Sequence, residues 1–340
     1  MSARPFVWRD ELTAAAVALL VAVAAGSVLI IAAGASPWLV WRTLLDGSLG
    51  STYGVGSVLF RATSLALLGL AVAVPRAAGL FNIGGEGQMT TGALICALAA
   101  AAVPAATPAL LVVPLALIAA AVAGGAVGAA TGALRAYRGA HEVIVAIALN
   151  AIISGVVLWL GNRWLFVGET TRTADAVSGA RLPGLGLGAS NASASLVIAV
   201  AAIAFTAWLL ARTTTGLRWR MLGGGPGAAA AAGVDVARAQ VTAMATAGAL
   251  AGLAGAHLVL GYKHAYEEGL GRGQGFLGVA VALLAQGRPA GVAASALVFG
   301  VLAHGGLAVG ELVPKALVDV LQAVVVLVAA ATATGWGRRR

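Results

Sequence analysis

Hydrophobic positions along this 340-residue chain gather into long uninterrupted runs, separated by short polar or glycine-rich punctuation. The runs fall at 12–35, 54–75, 82–103, 109–134, 143–161, 191–211, 240–261, 276–286, 291–309 and 314–334. Most reach the length of about 20 residues that crosses the hydrocarbon core of a bilayer as helix. They predict an all-α polytopic integral membrane protein of about ten transmembrane segments, some of them broken or re-entrant. Two runs break the pattern. The eighth is too short for a straight span, and the third opens with GLFNIGGEGQMTTG, residues 79–92, where Asn82, Glu86 and Gln88 are threaded by glycines. The first run ends in AGAS, yet it is longer than the roughly 7–15 apolar residues of a signal sequence, so a retained first span is expected.

Composition agrees: 60% of residues are hydrophobic and 10% charged, where soluble domains carry about 25% charged residues. The formal charge of +9 is made of basic residues scattered singly between the runs, which excludes a nucleic-acid stripe and reads as a topology signal. With the N-terminus in the cytoplasm, thirteen basic residues fall inside and seven outside, so both termini are expected to be cytoplasmic. The single cysteine, Cys96, sits in an apolar run and permits neither an intrachain disulfide nor a cysteine metal cluster.

The chain is expected to form one transmembrane domain, 1–340, with two longer loops. The outside loop, 162–190, is polar and rich in glycine. The inside loop, 212–239, contains Gly223–Gly225 and Pro226 as breakers, then a short helix over Ala228–Ala232 closed by Gly233. Gly124, Gly128 and Gly132 repeat every four residues, as do Gly248 and Gly252, a spacing that lets helices approach closely in lipid.

A P-loop needs G-x-x-x-x-G-K-[ST], and the only lysines, Lys263 and Lys315, follow Tyr262 and Pro314, so no ATP site is expected in this chain. The four histidines are dispersed, with neither H-E-x-x-H nor G-x-S-x-G, so no hydrolytic centre and no metal site are expected. The remaining chemistry is the Glu86 stretch. A charged side chain within hydrocarbon costs about 2.5–3.5 kcal/mol even on lenient scales, so Glu86 must face a cavity, a partner charge or other polar groups. Phe81, Asn82, Glu86, Gln88 and Asn150 are the candidate pathway residues; Arg61 in the preceding span, or the cytoplasmic interface, is the alternative destination of Glu86. Asn150 and Ser154 share a helix face, where bonding between helices is the commoner use.

Four blocks then carry a resemblance: GLFNIGGEGQ at 79–88, HEVIVAIALN at 141–150, GGGPGAAAAAGVDVARAQ with AGALAGLAG within 223–255, and GFLGVAVALLAQGRPAGVAASALVFG at 275–300. In these the chain resembles the membrane-spanning permease subunit of bacterial ATP-binding-cassette importers, of the nucleoside and simple-sugar type within the branched-chain amino acid permease superfamily. Such permeases often have Asn where this chain has Gly225 and His141. The resemblance implies that 223–235 docks on the ATPase, which singles out Gly224, Gly225, Pro226, Ala229, Ala230, Gly233 and Asp235. It also implies ATPase subunits that hold ATP and Mg in place of any cofactor in this chain, a second homologous permease subunit, an extracytoplasmic solute-binding protein, and residence among the lipids of the bacterial cytoplasmic (inner) membrane. The expected cargo is a small polar solute, a nucleoside foremost. The alternative is an ion-coupled secondary transporter of a sugar or nucleoside working alone, against which stands the scarcity of acids within the runs.

Overall fold

The computed structural model describes residues 20, 21, 23–314, 316–324 and 327, and these are helical apart from turns, loops and isolated β-bridges. In chain order the helices are α1 Val23–Ala32, α2 Pro37–Leu49, α3 Thr52–Ala77, α4 Gly85–Ala101, α5 Ala109–Arg138, α6 Glu142–Leu160, α7 Ser195–Arg212, α8 Thr214–Gly224, α9 Pro226–Ala231, α10 Val236–Leu258, α11 Gln274–Leu284 and α12 Pro289–Ala308. Among the described residues, six helices are long and apolar enough to cross a membrane, or seven if the bent pair α1–α2 counts as one span. The expectation of about ten is not reached by these alone, and much of the last run, 314–334, lies outside the described residues, as does the start of the first.

The first run does not stay straight. After α1 the chain turns by 118° into α2, a helix the apolar runs did not predict. Gly34 takes φ +78 at the turn, and Pro37, pre-set for helical φ, starts α2. The exposed pair Arg42–Asp46 on α2 had masked it by interrupting the apolar pattern.

Two helices form the centre: α3 and α10 have 83% and 78% of their most apolar windows buried, whereas α5, α6 and α7 have 22% or less and turn apolar side chains outward. Those outward faces carry Ile144, Ile147, Trp159, Val197, Val200 and Trp208, as a lipid-facing surface requires. The glycine spacing seen in the sequence explains the tightest contact. A Cβ on Gly124 would stand 2.9 Å from Gly252 Cα, one on Gly128 3.1 Å from Gly248 Cα, and one on Gly132 2.9 Å from Val241 Cα. Gly92 of α4 meets Gly252 from the other side, so α4, α10 and α5 stack backbone against backbone.

Helix α11 is half-length, and α4 begins part-way into the bundle. At 1.5 Å per residue the 11 residues of α11 cover about 16 Å, roughly half the hydrocarbon thickness. Before α4, residues 78–84 leave the end of α3 and run back alongside it, with the Leu80 N–H donating to Pro75 O and the Asn82 side chain reaching Ala71 O. This is a re-entrant segment, and α4 begins only where it has climbed about two turns of α3.

Candidate functional site

The site is the place where the N-termini of α4 and the half-length α11 meet within the bundle. Gly85 and Gly275 make the approach possible: a Cβ on Gly85 would stand 3.5 Å from Gly275 Cα, and one on Gly275 would stand 2.8 Å from Glu86 Cα. Across this contact Glu86 Oε1 accepts from the Gly273 N–H at 2.7 Å and Oε2 accepts from the Gly275 N–H at 2.9 Å. Gly273, at φ +84, caps α11. One carboxylate therefore lies in the first turn of α4 and satisfies two N–H groups at the start of α11, where both helix dipoles favour negative charge. Its partner is not Arg61, the alternative raised by the sequence. Gln274, the first residue of α11, holds a buried Oε1 with no hydrogen-bond partner among the described residues.

The other polar side chains of the stretch hold the re-entrant segment in shape. Asn82 and Gln88 are fully buried and pair amide to amide, Asn82 Nδ2 donating to Gln88 Oε1 at 2.9 Å and Gln88 Nε2 donating to Asn82 Oδ1 at 3.1 Å. Asn82 also donates to Ala71 O at 3.1 Å and accepts from the Gly84 N–H at 3.0 Å, so its amide is fully engaged. From α6, Asn150 donates to Ile83 O at 3.0 Å and accepts from the Gly87 N–H at 2.9 Å. The Phe81 N–H donates to Glu142 at 3.3 Å, and Glu142 faces Arg135 at 3.5 Å. In the absence of a continuous helix, these side chains satisfy backbone groups that lipid cannot. Sequence reasoning grouped Asn82, Gln88 and Asn150 correctly in space, but missed Glu142, whose link to Phe81 spans 61 residues.

The loop 212–239 meets the start of the re-entrant segment at the end of the bundle. Gly223–Gly225 was expected to break the helix as a unit, but α8 runs through Gly224 and only Gly225, at φ +150, ends it. Pro226 then starts α9, and Gly233, at φ +79, donates to Ala230 O to close it. Of the α9 residues, Ala229 is buried against the bundle while Pro226, Ala228, Ala230 and Ala231 are exposed; Gly224 is exposed beside them. Asp235 caps α10, accepting from the Arg238 N–H at 2.9 Å. In the middle of α8, Trp219 is buried and donates to Thr242 at 3.2 Å. The loop touches the re-entrant segment directly: a Cβ on Gly79 would stand 3.3 Å from Gly223 Cα, and one on Gly223 would stand 3.2 Å from Gly79 N.

Two helices that start inside an apolar bundle and meet end to end there, with a small-residue helix outside it, match the interrupted helices that line transport sites. The family model for the permease component of branched-chain amino acid transport systems matches residues 54–330. The chain belongs to this permease family. Among its relatives, the permease is 33% identical to the guanosine ABC transporter permease protein NupP of Bacillus subtilis, over 93% of this chain and 92% of that one. It is 32% identical to the glucose ABC transporter permease protein TsgB13 of Haloferax volcanii (91% and 84% covered). It is 30% identical to the nucleoside ABC transporter permease protein NupB of Lactococcus lactis (88% and 85% covered).

One further contact has the look of chemistry. Ser193, Ser195 and His257 form a chain, Ser195 Oγ lying 2.6 Å from His257 Nδ1 and 2.7 Å from Ser193 Oγ. A hydrolase dyad would aim the serine at a cleft and orient the histidine with an acid. Here His257 is buried and its Nε2 faces Phe60 O at 3.1 Å, so the chain fastens α7 and α10 to α3.

Proposed function

We propose that the permease is the membrane half of an ATP-driven importer that carries nucleosides across the bacterial cytoplasmic membrane, with both termini in the cytoplasm. It works beside a second homologous permease subunit, above two ATPase subunits that bind ATP and Mg, and below an extracytoplasmic solute-binding protein. The observation that carries the reading is the junction of α4 and α11 at Glu86, placed one contact away from the α8–α9 loop. The guanosine permease relative, covered along almost its whole length, supports the choice of solute.

In this proposal α9, exposed and made of small residues, seats in the ATPase. Displacement of α9 is passed through α8 to the 77–79 turn by the Gly223–Gly79 contact, and so to the start of α4. Moving α4 parts Glu86 from Gly273 and Gly275. The parted junction then offers two N–H donors and a carboxylate to the hydroxyls and ring atoms of a polar solute, and on closing it recovers its own hydrogen bonds. Opening costs about the strength of two charge-assisted hydrogen bonds, roughly 3–6 kcal/mol, which ATP and the entering solute together supply.

Reconstitution in proteoliposomes tests the reading. With cognate ATPase, partner permease and binding protein, labelled guanosine should accumulate only when ATP is supplied. Uptake by this chain alone without ATP would instead support the secondary transporter, and uptake of glucose but not guanosine would redirect the choice of solute.

A further inference from the structure

Arg61 lies two turns into α3 from the end remote from α8 and α9, half-buried, and has neither a hydrogen bond nor an ion pair among the described residues. Its neighbours are aromatic. The Tyr53 and Tyr262 hydroxyls lie within its Coulombic reach, and it in turn lies within reach of His304 on α12. Tyr53 packs edge-on against His304 with ring centroids 5.7 Å apart, and Tyr262 packs edge-on against Phe60 at 5.2 Å. Lys263, the residue after Tyr262, is already paired with Glu267 at 2.8 Å. A cation at this depth, with all five N–H donors unspent, awaits acceptors from elsewhere.

Its position points toward the junction. Arg61, Ser64 and Leu68 stand at i, i+3 and i+7, one stripe of α3, and Leu68 packs on both α4 and α11: a Cβ on Gly85 would stand 3.6 Å from it and one on Gly278 2.6 Å. Two helical turns put Arg61 about 10 Å from the junction along this stripe. Between them Ser64 holds a buried Oγ with no hydrogen-bond partner among the described residues. The outer loop closes over the cluster, for Gly188 abuts Tyr53 and Leu187 abuts Gly56 of α3.

We propose that Arg61, framed by Tyr53, Phe60, Tyr262 and His304, is a selectivity contact for the solute, giving paired hydrogen bonds to two adjacent acceptor atoms on the edge of a flat heterocyclic base. The planar fork of an arginine fits two neighbouring acceptors, such as the O6 and N7 of a 6-oxopurine, and adenine offers an amino donor in place of the first. The rings around it supply apolar surface for the face of the base. The inference rests on the nucleoside reading above and names the class of base that the same pathway prefers.

The test compares import of guanosine and adenosine by the complete reconstituted importer, wild type against Arg61→Lys and Arg61→Gln. Because the binding protein captures solute first, KM reports that protein, and the arginine acts on the maximal rate. Both variants should lower the guanosine-to-adenosine ratio of maximal rates about tenfold with KM unmoved, since Lys keeps the charge but loses the fork. Arg42→Ala, which removes an exposed cation on α2 away from the cluster, should leave the ratio unchanged. Maximal rates that fall together for both solutes, as a purely structural arginine or one paired with an acidic residue of a partner protein would give, overturn the inference, as does an unchanged ratio. A wild-type importer that moves neither nucleoside overturns the underlying function instead, and the two failures are told apart by the wild-type lane alone.

Discussion

Glu86 on α4 and Arg61 on α3 are both charged side chains set within an apolar bundle, and they are treated in opposite ways. Around Glu86 the carboxylate and the amides of Asn82, Gln88 and Asn150 are matched to donors and acceptors within the chain. Around Arg61 the rings are in place, but it has no hydrogen-bond acceptor among the described residues. A charge whose hydrogen bonds are complete holds an architecture, and opening it takes work from outside; a charge left incomplete is poised for a ligand. One permease thus keeps a closed latch and an open claw within the same bundle.

Breaking the matched side should cost the most. Asn82→Leu removes four hydrogen bonds and strands the Gln88 amide, the Gly84 N–H and Ala71 O in a dry interior. At about 1–3 kcal/mol per orphaned buried group, thermal unfolding in detergent should show a loss of more than about 3 kcal/mol, and the protein should accumulate poorly. A next step down, Glu86→Ala orphans two N–H groups at the start of α11 and should destabilise by about 2–4 kcal/mol, with Glu86→Gln recovering roughly half because one oxygen still accepts. The coupling contact should give less again. Gly223→Val drives a side chain toward Ala77 O and the Gly79 backbone, an overpacking worth about 1–3 kcal/mol, and should raise the ATP hydrolysed per solute imported. On the open side, Arg61→Gln should leave the midpoint unchanged or raise it, since it relieves a charge with no partner among the described residues. The exposed pair Arg42–Asp46, with its side chains 66% and 67% exposed, sets the floor: Arg42→Ala should change stability by less than about 0.5 kcal/mol. An Asn82→Leu protein that melts with that control would erase the distinction between the two regions.

The sequence made the outline of this arrangement readable and concealed its connections. Long apolar runs, the glycine repeat of α5 and α10, and the Pro226 and Gly233 bounds of α9 are local signals, and each appears in the structure where local physics puts it. The glycine-rich stretch at 79–92 could be recognised as a broken helix because a polar segment in a bilayer must satisfy its backbone internally. What it bonds to could not be read, since the Glu86 partners lie 187 and 189 residues away and are backbone N–H groups, which any residue possesses. Helix α2 was hidden by an ion pair on its exposed face, and the aromatic frame of Arg61 is drawn from α3, α12 and the turn after α10, whose meeting only packing decides.

The central claim is that the α4–α11 junction parts and re-forms during import. Spin labels at Thr90 on α4 and Leu277 on α11, in a permease whose only native cysteine, Cys96, is buried, would read that separation by pulsed electron resonance in the complete importer. Two distances exchanging population between the nucleotide-free and ATP-bound complexes, with the short one depleted by Glu86→Ala, are expected. A single unchanged distance in both states, while guanosine import proceeds, would contradict the account.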